Sequence, residues 1–379
     1  MASRLHAKCQ KVTISNWFRI RRANFSMCPF ALPTHRQTTT FRLGSGSVCS
    51  LAASFAGRFL GPLVKTRTFG MTPGGGRLQN PRTEVLPFGS PLLPQVLIAR
   101  YHFEMAKRVL VCPPTYFEVV DHKNPYMSDK AVVDKAKAQQ QWQGLCSALE
   151  SAGCQIETIV PVVGLEDMVF AANPVFVGFH ESVGKFIVPS HMVHASRQQE
   201  VPRYVEWYRQ RGFKIVEIDL GSDYLEGHGD LLWHPDGSCI YAAYGFRSTR
   251  GGIEKFSDVM SKMGIAVTRL RLVDPYCYHL DTCLCPLNGE AALIYPGAYD
   301  SESLATLRRS WPRLHELTVA EAHKFMGNGI VVNGSYLTPY ITPHLEEILR
   351  QEGLKPVVLD TSEFEKSGGS LFCMKAFLP

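Results

Sequence analysis

Residues 277–285 read CYHLDTCLC and gather one histidine, one aspartate and three cysteines into nine positions. Such a run suits either of two chemistries: a metal nest of thiolate and imidazole ligands, or one wall of an active site where the histidine moves protons. On a strand, with its period of two, Cys277, His279, Asp281, Cys283 and Cys285 share one face. That face spans roughly 27 Å, so only adjacent members could join one ion and further ligands must come from elsewhere. The eleven cysteines include no CxxC pair, which argues against a zinc ribbon and for reduced thiols. Cysteine is also an ordinary core residue. The expectation is no metal, with Cys283 and Cys285 as core packing.

Other polar residues stand inside apolar runs or at their ends. The stretch GLEDMVFAANPVFVG carries Asp167 and Asn173, and DYLEGHGDLLW sets Glu226 and Asp230 around a Gly-His-Gly turn. Glycine there lets backbone approach a ligand closely. In KSGGSLFCMKAFLP, Cys373 follows a Gly-Gly pair near the end of the sequence. Carboxylates are rarely buried without a partner, so a site collecting Asp167, Glu226 and Asp281 calls for a cation. A guanidinium, planar with five N–H donors, matches carboxylates bidentately. Taken singly, Asp167 reads equally as a turn cap, Glu226 as half of a surface ion pair and Cys373 as buried filler. Taken together, a cysteine, a histidine and several carboxylates at strand ends favour covalent chemistry on a cationic carbon.

The elements that must hold these residues form an α/β pattern. RVLVCPP, QIETIVP, PVFVG, KFIVPS, KIVEIDL, CIYAAYG, AVTRLRLV, HLDTCLCPL, AALIYPG and KPVVLD read as strands, and GIVVNGSYLTP as a further extended stretch. Helices are expected over 128–152, opening at Ser128-Asp129 and stopped by Gly153, and in QQEVPRYVEWYRQRG, GIEKFSDVMSKMG, 302–309, AEAHKFMG and PHLEEILRQEG. Strands alternate with helices in repeats of some 40–60 residues, which points to repeated units rather than one uninterrupted parallel sheet.

The net charge of +6 is uneven. No Asp or Glu precedes Glu84, and 13 of the 40 Lys and Arg lie in residues 1–83, so the rest carries 27 basic against 34 acidic residues. The basic character belongs to the leader, and a nucleic-acid partner is not expected. An acid-free, Arg- and Ser-rich start has the composition of a mitochondrial or plastid transit peptide, a cytoplasmic protein being the alternative. Residues 1–83 therefore read as a leader and 84–106, rich in Gly and Pro up to residue 94, as a linker to a catalytic domain over 107–379. Arg58 and the prolines interrupt every candidate membrane span.

DMVFAAN, EGHGD, YHLDT and GGSLFC, in that order, resemble the motifs of the guanidino-group-modifying (pentein) superfamily over about residues 107–379. Its members include arginine deiminase, dimethylarginine dimethylaminohydrolase, arginine dihydrolase and the amidinotransferases. The resemblance implies a five-bladed α/β propeller with pseudo-fivefold repeats. It also implies a small-molecule guanidino substrate, no cofactor, and a thiouronium formed on Cys373, with a homo-oligomer left open. By the same resemblance His279 is the general acid/base and Glu226 its carboxylate partner or a guanidinium ligand. Asp167 and Asp281 are further substrate or structural carboxylates, Arg197 and Arg247 hold the substrate's α-carboxylate, and Asn124 belongs to a substrate loop. Deiminases and dimethylargininases usually carry Asp where this chain has Asn173, after Arg or Glu where it has Ala172. Asn there looks like the arginine dihydrolases, which take arginine to ornithine, CO2 and ammonia, although Pro174 departs from the small residue usual after it. The expected reaction is thus arginine to ornithine or citrulline plus ammonia. The alternatives are dimethylarginine hydrolysis, amidino transfer and, outside catalysis, a protein that only binds arginine or one that uses its cysteines for metal or redox chemistry.

Overall fold

The computed structural model describes residues 107–128 and 131–379, and the backbone of a short antiparallel ribbon, Phe41–Arg42 with Val48–Cys49. The ribbon belongs to a unit spanning Met1–Gly89; all that follows concerns the second unit, Ser90–Pro379. Apart from that ribbon, the leader and linker expected over 1–106 lie outside the described residues.

The second unit holds five three-stranded sheets of one plan. In each, a first strand pairs antiparallel with a central strand, and the chain returns through a helix to a third strand parallel to the central one. The first strands are Val175–His180, Leu231–Trp233, Leu284–Pro286, Ile330–Val332 and Lys375–Leu378. The crossover helices are α1 (Lys135–Ser151), α2 (Val201–Gln210), α3 (Arg250–Lys262), α4 (Ser301–Ser310) and α5 (Pro343–Gln351). Lys375–Leu378, at the end of the chain, pairs with Arg108–Val111, with Lys375 opposite Val111. The sheet that opens the unit is therefore completed by its last strand. This is the five-bladed α/β propeller that the resemblance implies.

The helices form because each presents one apolar stripe to its sheet. In α5, Leu345, Ile348 and Leu349 are buried at helical spacing, Pro343 opens the first turn, and Thr342 caps it by accepting from Leu345 N. The first helix starts later than expected. Asp134 accepts from Lys137 N and sets the N-terminus at Lys135 rather than near Ser128. Two other elements are shorter: only Lys214–Ile215 of KIVEIDL is laddered, and AEAHKFMG is helical only over Val319–Ala322.

The largest departure is HLDTCLCPL. Pairing begins only at Leu284, and Leu280–Thr282 is a single 3-10 turn. Side chains take the backbone groups a ladder would have used: Thr282 Oγ1 donates to His279 O, and Asp230 Oδ1 accepts from Leu280 N. Cys277, His279, Asp281, Cys283 and Cys285 therefore do not share one strand face, and the sequence argument from that face fails.

The segments that lead into the five first strands are tied in a ring. Ala172 N donates to Cys373 O at 3.0 Å, His228 N to Ala172 O at 2.8 Å, and Phe372 N to Asn328 O at 3.0 Å. Asn328 Nδ2 reaches Asp281 O at 2.9 Å, and the Leu280–Asp230 bond closes the circuit. Every blade therefore brings its lead-in to one place.

Candidate active site

The lead-ins of the first, third and fifth of these strands meet at a pocket. Seven residues singled out from the sequence line it: Asn124, Asp167, Asn173, Arg197, Arg247, His279 and Cys373. Glu226 and Asp281 do not line it; they stand behind His279 and Cys373 respectively, in direct contact with them.

Cys373 sits two residues before its strand and is 3% exposed. Its Sγ lies 3.1 Å from Asp281 Oδ2 and 3.2 Å from Asn328 Nδ2. Burial, and then the Asp281 charge, push the thiol well above its ordinary value. The same burial raises Asp281 to about 7, although the thiol and Lys375 pull the other way. The free site therefore holds a neutral thiol against a carboxyl group that itself resists ionisation.

His279 Nε2 lies 2.9 Å from Glu226 Oε2. Glu226 is fully buried; its Oε2 also accepts from Arg247 Nη1 at 3.1 Å and its Oε1 from Val193 N at 3.0 Å. Burial alone would raise this carboxyl group, but Arg247 and His279 outweigh it and hold Glu226 well below the usual carboxylate range. Glu226 fixes the imidazole as a carboxylate partner should, and the Arg247 guanidinium balances its charge. The glycines of EGHGD have a different use from the one expected. A Cβ on Gly227, at φ +44°, would meet Asn173 O at 2.4 Å, and one on Gly229 would meet the Asn173 amide and the His279 ring. They let the protein's own chain approach, not a ligand.

The two arginines are already engaged. Arg247 donates to Glu226 and to Lys123 O, and its guanidinium lies 4.7 Å from the centre of the Tyr278 ring. Arg197 bonds to five acceptors: both Glu200 carboxylate oxygens, Asn173 Oδ1 and the carbonyls of Asp167 and Phe170. A guanidinium so occupied braces the pocket wall. Asp167 is neutralised by Lys123 Nζ at 3.1 Å and accepts from Ser367 Oγ. Asn124 ties its loop to the Gly-Gly turn by donating to Ser367 O.

Several participants were missed in the sequence. Lys123 lines the pocket beside Asn124, with nothing in its type or spacing to mark it. Asp230, noted beside Glu226 in the sequence but given no role there, accepts from Ser248 N, Ser248 Oγ and Leu280 N, and burial raises it to about 6. Asn328 stands two residues before Ile330–Val332, as Asn173 stands before Val175–His180 and Cys373 before Lys375–Leu378. That repeated offset was a signal available in GNGIVV. Among the described residues, no group of three or more His, Cys, Asp or Glu could hold a metal ion.

A model of the eukaryotic N,N dimethylarginine dimethylhydrolase family matches residues 114–378. The chain belongs to that family. The N(G),N(G)-dimethylarginine dimethylaminohydrolase of Mycobacterium tuberculosis is 32% identical over 268 residues, 70% of this chain and 84% of its own length. The bifunctional arginine dihydrolase/ornithine cyclodeaminase ArgZ of Synechocystis sp. is also 32% identical, over 270 residues, but this stretch is only 37% of ArgZ. The crystal structure of the N-terminal domain of ArgZ bound to product matches with a TM-score of 0.67 at 30% identity, covering 73% of this chain and 98% of that one. Membership makes this chain an amidine-hydrolysing enzyme of the pentein superfamily. Among the described residues, no helix is long and apolar enough to cross a membrane.

Proposed function

We propose that this enzyme hydrolyses the guanidino group of arginine through a covalent intermediate on Cys373, and continues past citrulline to ornithine. The observation that carries the second half is the orientation of Asn173. Arg197 can only donate, so the Asn173 oxygen must face it at 3.2 Å. The amide nitrogen is buried without a partner, close to Gly229, on a residue that lines the pocket. A guanidinium offers only donors and cannot use that N–H. The oxygen of a ureido group can. A carboxylate at this position would favour the cation alone.

In the first round, the Cys373 thiolate attacks the guanidino carbon, its ionisation helped by the adjacent substrate cation. His279 gives a proton to the departing ammonia, then accepts one from the water that cleaves the thiouronium. A second round on the ureido carbon completes the balance: arginine and two waters give ornithine, carbon dioxide and two ammonia.

The matching family and the mycobacterial relative carry the name of a dimethylarginine hydrolase, which makes dimethylarginine the second reading. One experiment separates them: incubation with labelled arginine or dimethylarginine and quantification of ornithine, citrulline and dimethylamine. Ornithine from arginine is expected, with Asn173→Asp shifting the product towards citrulline. Release of citrulline alone from arginine, or a preference for dimethylarginine, removes the dihydrolase reading.

A further inference from the structure

Each of the five lead-ins delivers a polar side chain, and the one from the fourth blade has no place in the chemistry above. It belongs to Asn328, which is fully buried. Its carboxamide is held at both ends. The oxygen accepts from Phe372 N at 3.1 Å and from Cys373 N at 3.4 Å. Backbone amides only donate, so the oxygen is assigned unambiguously and the nitrogen must face the other way. That nitrogen has two protons and two acceptors, Asp281 O at 2.9 Å and Cys373 Sγ at 3.2 Å.

We propose that Asn328 is a further catalytic residue, whose N–H stabilises Cys373 as the thiolate when its proton leaves. The thiol can donate to Asp281 Oδ2, 3.1 Å away, with the Asn328 oxygen a more distant acceptor at 3.5 Å. When the proton crosses to the ionised form of Asp281, the S–H bond breaks, an O–H bond forms on Oδ2, and the pair keeps its net charge while the negative end moves to sulfur. Oδ2 can receive the proton because burial keeps Asp281 reluctant to ionise. The Asn328 N–H is the side-chain donor in contact with that sulfur; the backbone of Ser370 adds a contribution of the same sign, the larger of the two. A fixed donor aimed where charge develops acts with no reorganisation, because its other bonds already hold it. A merely structural Asn328 would brace Phe372 and Cys373 equally well with no effect on the sulfur.

The proposal rests on Cys373 being the nucleophile, and the test keeps the two claims apart. The probe is iodoacetamide, which is uncharged and reports thiolate directly. Alkylation of Cys373 is followed by peptide mass spectrometry as a function of pH, without substrate, in the full chain and in Asn328→Ala and Asn328→Asp. Asn328→Asp preserves the shape and the oxygen that accepts from Phe372, so it serves should Asn328→Ala not fold. Both variants should move the midpoint of alkylation up by at least about one pH unit, so that the rate below the midpoint falls at least tenfold. Turnover number should fall about 10- to 100-fold with KM within about threefold, since the loss lies in the nucleophile and not in binding. An unchanged midpoint in a folded variant overturns the proposal, whatever its thermal stability. Activity surviving in Cys373→Ser would instead overturn the nucleophile, and the alkylation curve would still report the Asn328–sulfur contact.

Discussion

The surroundings of the pocket and the five crossover helices belong to the same blades, yet they hold their charges in opposite ways. On the helices, Arg350 and Glu347 or Arg250 and Glu254 pair in the open, with each partner at least two-fifths exposed. Around the pocket, Arg247 and Glu226 are 4% and 0% exposed, and Arg197 and Glu200 are 6% and 1%. Exposed pairs contribute little and are screened by salt, while a buried pair broken on one side leaves an uncompensated charge. The repeat thus keeps its fold in the part that stays similar and its chemistry in the part that diverges. The first strands enclose both: their lead-ins carry the divergent residues to the ring, and their ladders hold the ring to the blades.

The sharpest way to break that contrast is at the sulfur. Cys373→Ser should lower turnover at least about 1000-fold with no cooperative change in the melting profile, because a hydroxyl is far less ionised than a thiol and little volume changes. Steady-state assays alongside thermal denaturation check both halves. Turnover within tenfold of the unmodified enzyme would remove Cys373 from the chemistry.

Next in size is the buried carboxylate. Glu226→Gln keeps the shape but leaves Arg247 facing a neutral amide and His279 without its anionic partner. A loss of about 3 kcal/mol in stability is expected, with turnover down about 100-fold. The stability that Glu226 confers is present above the carboxyl range of an unfolded chain and lost as pH falls through its depressed folded value. The variant and the wild type should therefore converge in strong acid. Urea denaturation at pH 7 and pH 3 would show it, and an equal gap at both would contradict the ion-pair account.

These effects bear on what could be read from the sequence. Cys373, His279 and Glu226 stood out because a cysteine behind Gly-Gly, or a histidine and a carboxylate in apolar surroundings, is conspicuous by type. The repeat of strand and helix was equally legible from periodicity. The 3-10 turn at Leu280–Thr282 was not, because HLDTCLC alternates like a strand and only a side chain 50 residues away, Asp230, takes its amide. Nor was the engagement of Arg197, which depends on Glu200 three residues on and on two distant carbonyls. Lys123 was missed because a lysine near a loop is normally a solvated one. Contacts made between blades leave no local trace.

A smaller effect is expected at Lys375, which shares the lead-in's burial without a carboxylate in hydrogen-bond contact. It is 2% exposed, and its ammonium lies 3.1 Å from the centre of the Phe372 ring and 4.7 Å from that of Phe377. Burial lowers it to about 7, with Asp281 pulling upward. Below pH 7 both the folded and the unfolded lysine are charged, and the wild type bears the full desolvation penalty. Between 7 and 10.5 the folded group is already neutral, so wild-type stability rises with pH. Lys375→Met, which keeps the stem and its contact with the rings, should therefore stabilise the protein by roughly 1–3 kcal/mol below pH 7, after allowance for the lost cation–π attraction. That gain should fade towards pH 10.5. A gain independent of pH would show that packing, not charge, decides this position.

The smallest effect belongs to the rim and sets the scale for the rest. Arg350 donates from Nε and Nη2 to the two Glu347 oxygens in α5, a bidentate geometry as good as any around the pocket. Geometry alone would rank this pair beside Arg247 and Glu226. Exposure ranks it far below, because water solvates both ends as well as they solvate each other, and ordering two long side chains opposes the contact. Glu347 is held down to about 2, chiefly by its bond to Arg350. Whatever it contributes is present above the ordinary glutamate range and lost as pH falls through that value. Arg350→Ala should shift the melting temperature by less than about 2 °C and leave turnover unchanged. In 1 M salt even that difference should vanish, since the screening length drops to about 3 Å, while the Glu226→Gln deficit should persist. Measuring both variants at low and high salt tests the contrast directly: a salt-sensitive Glu226 deficit, or a salt-resistant Arg350 one, would mean that burial does not divide the two regions.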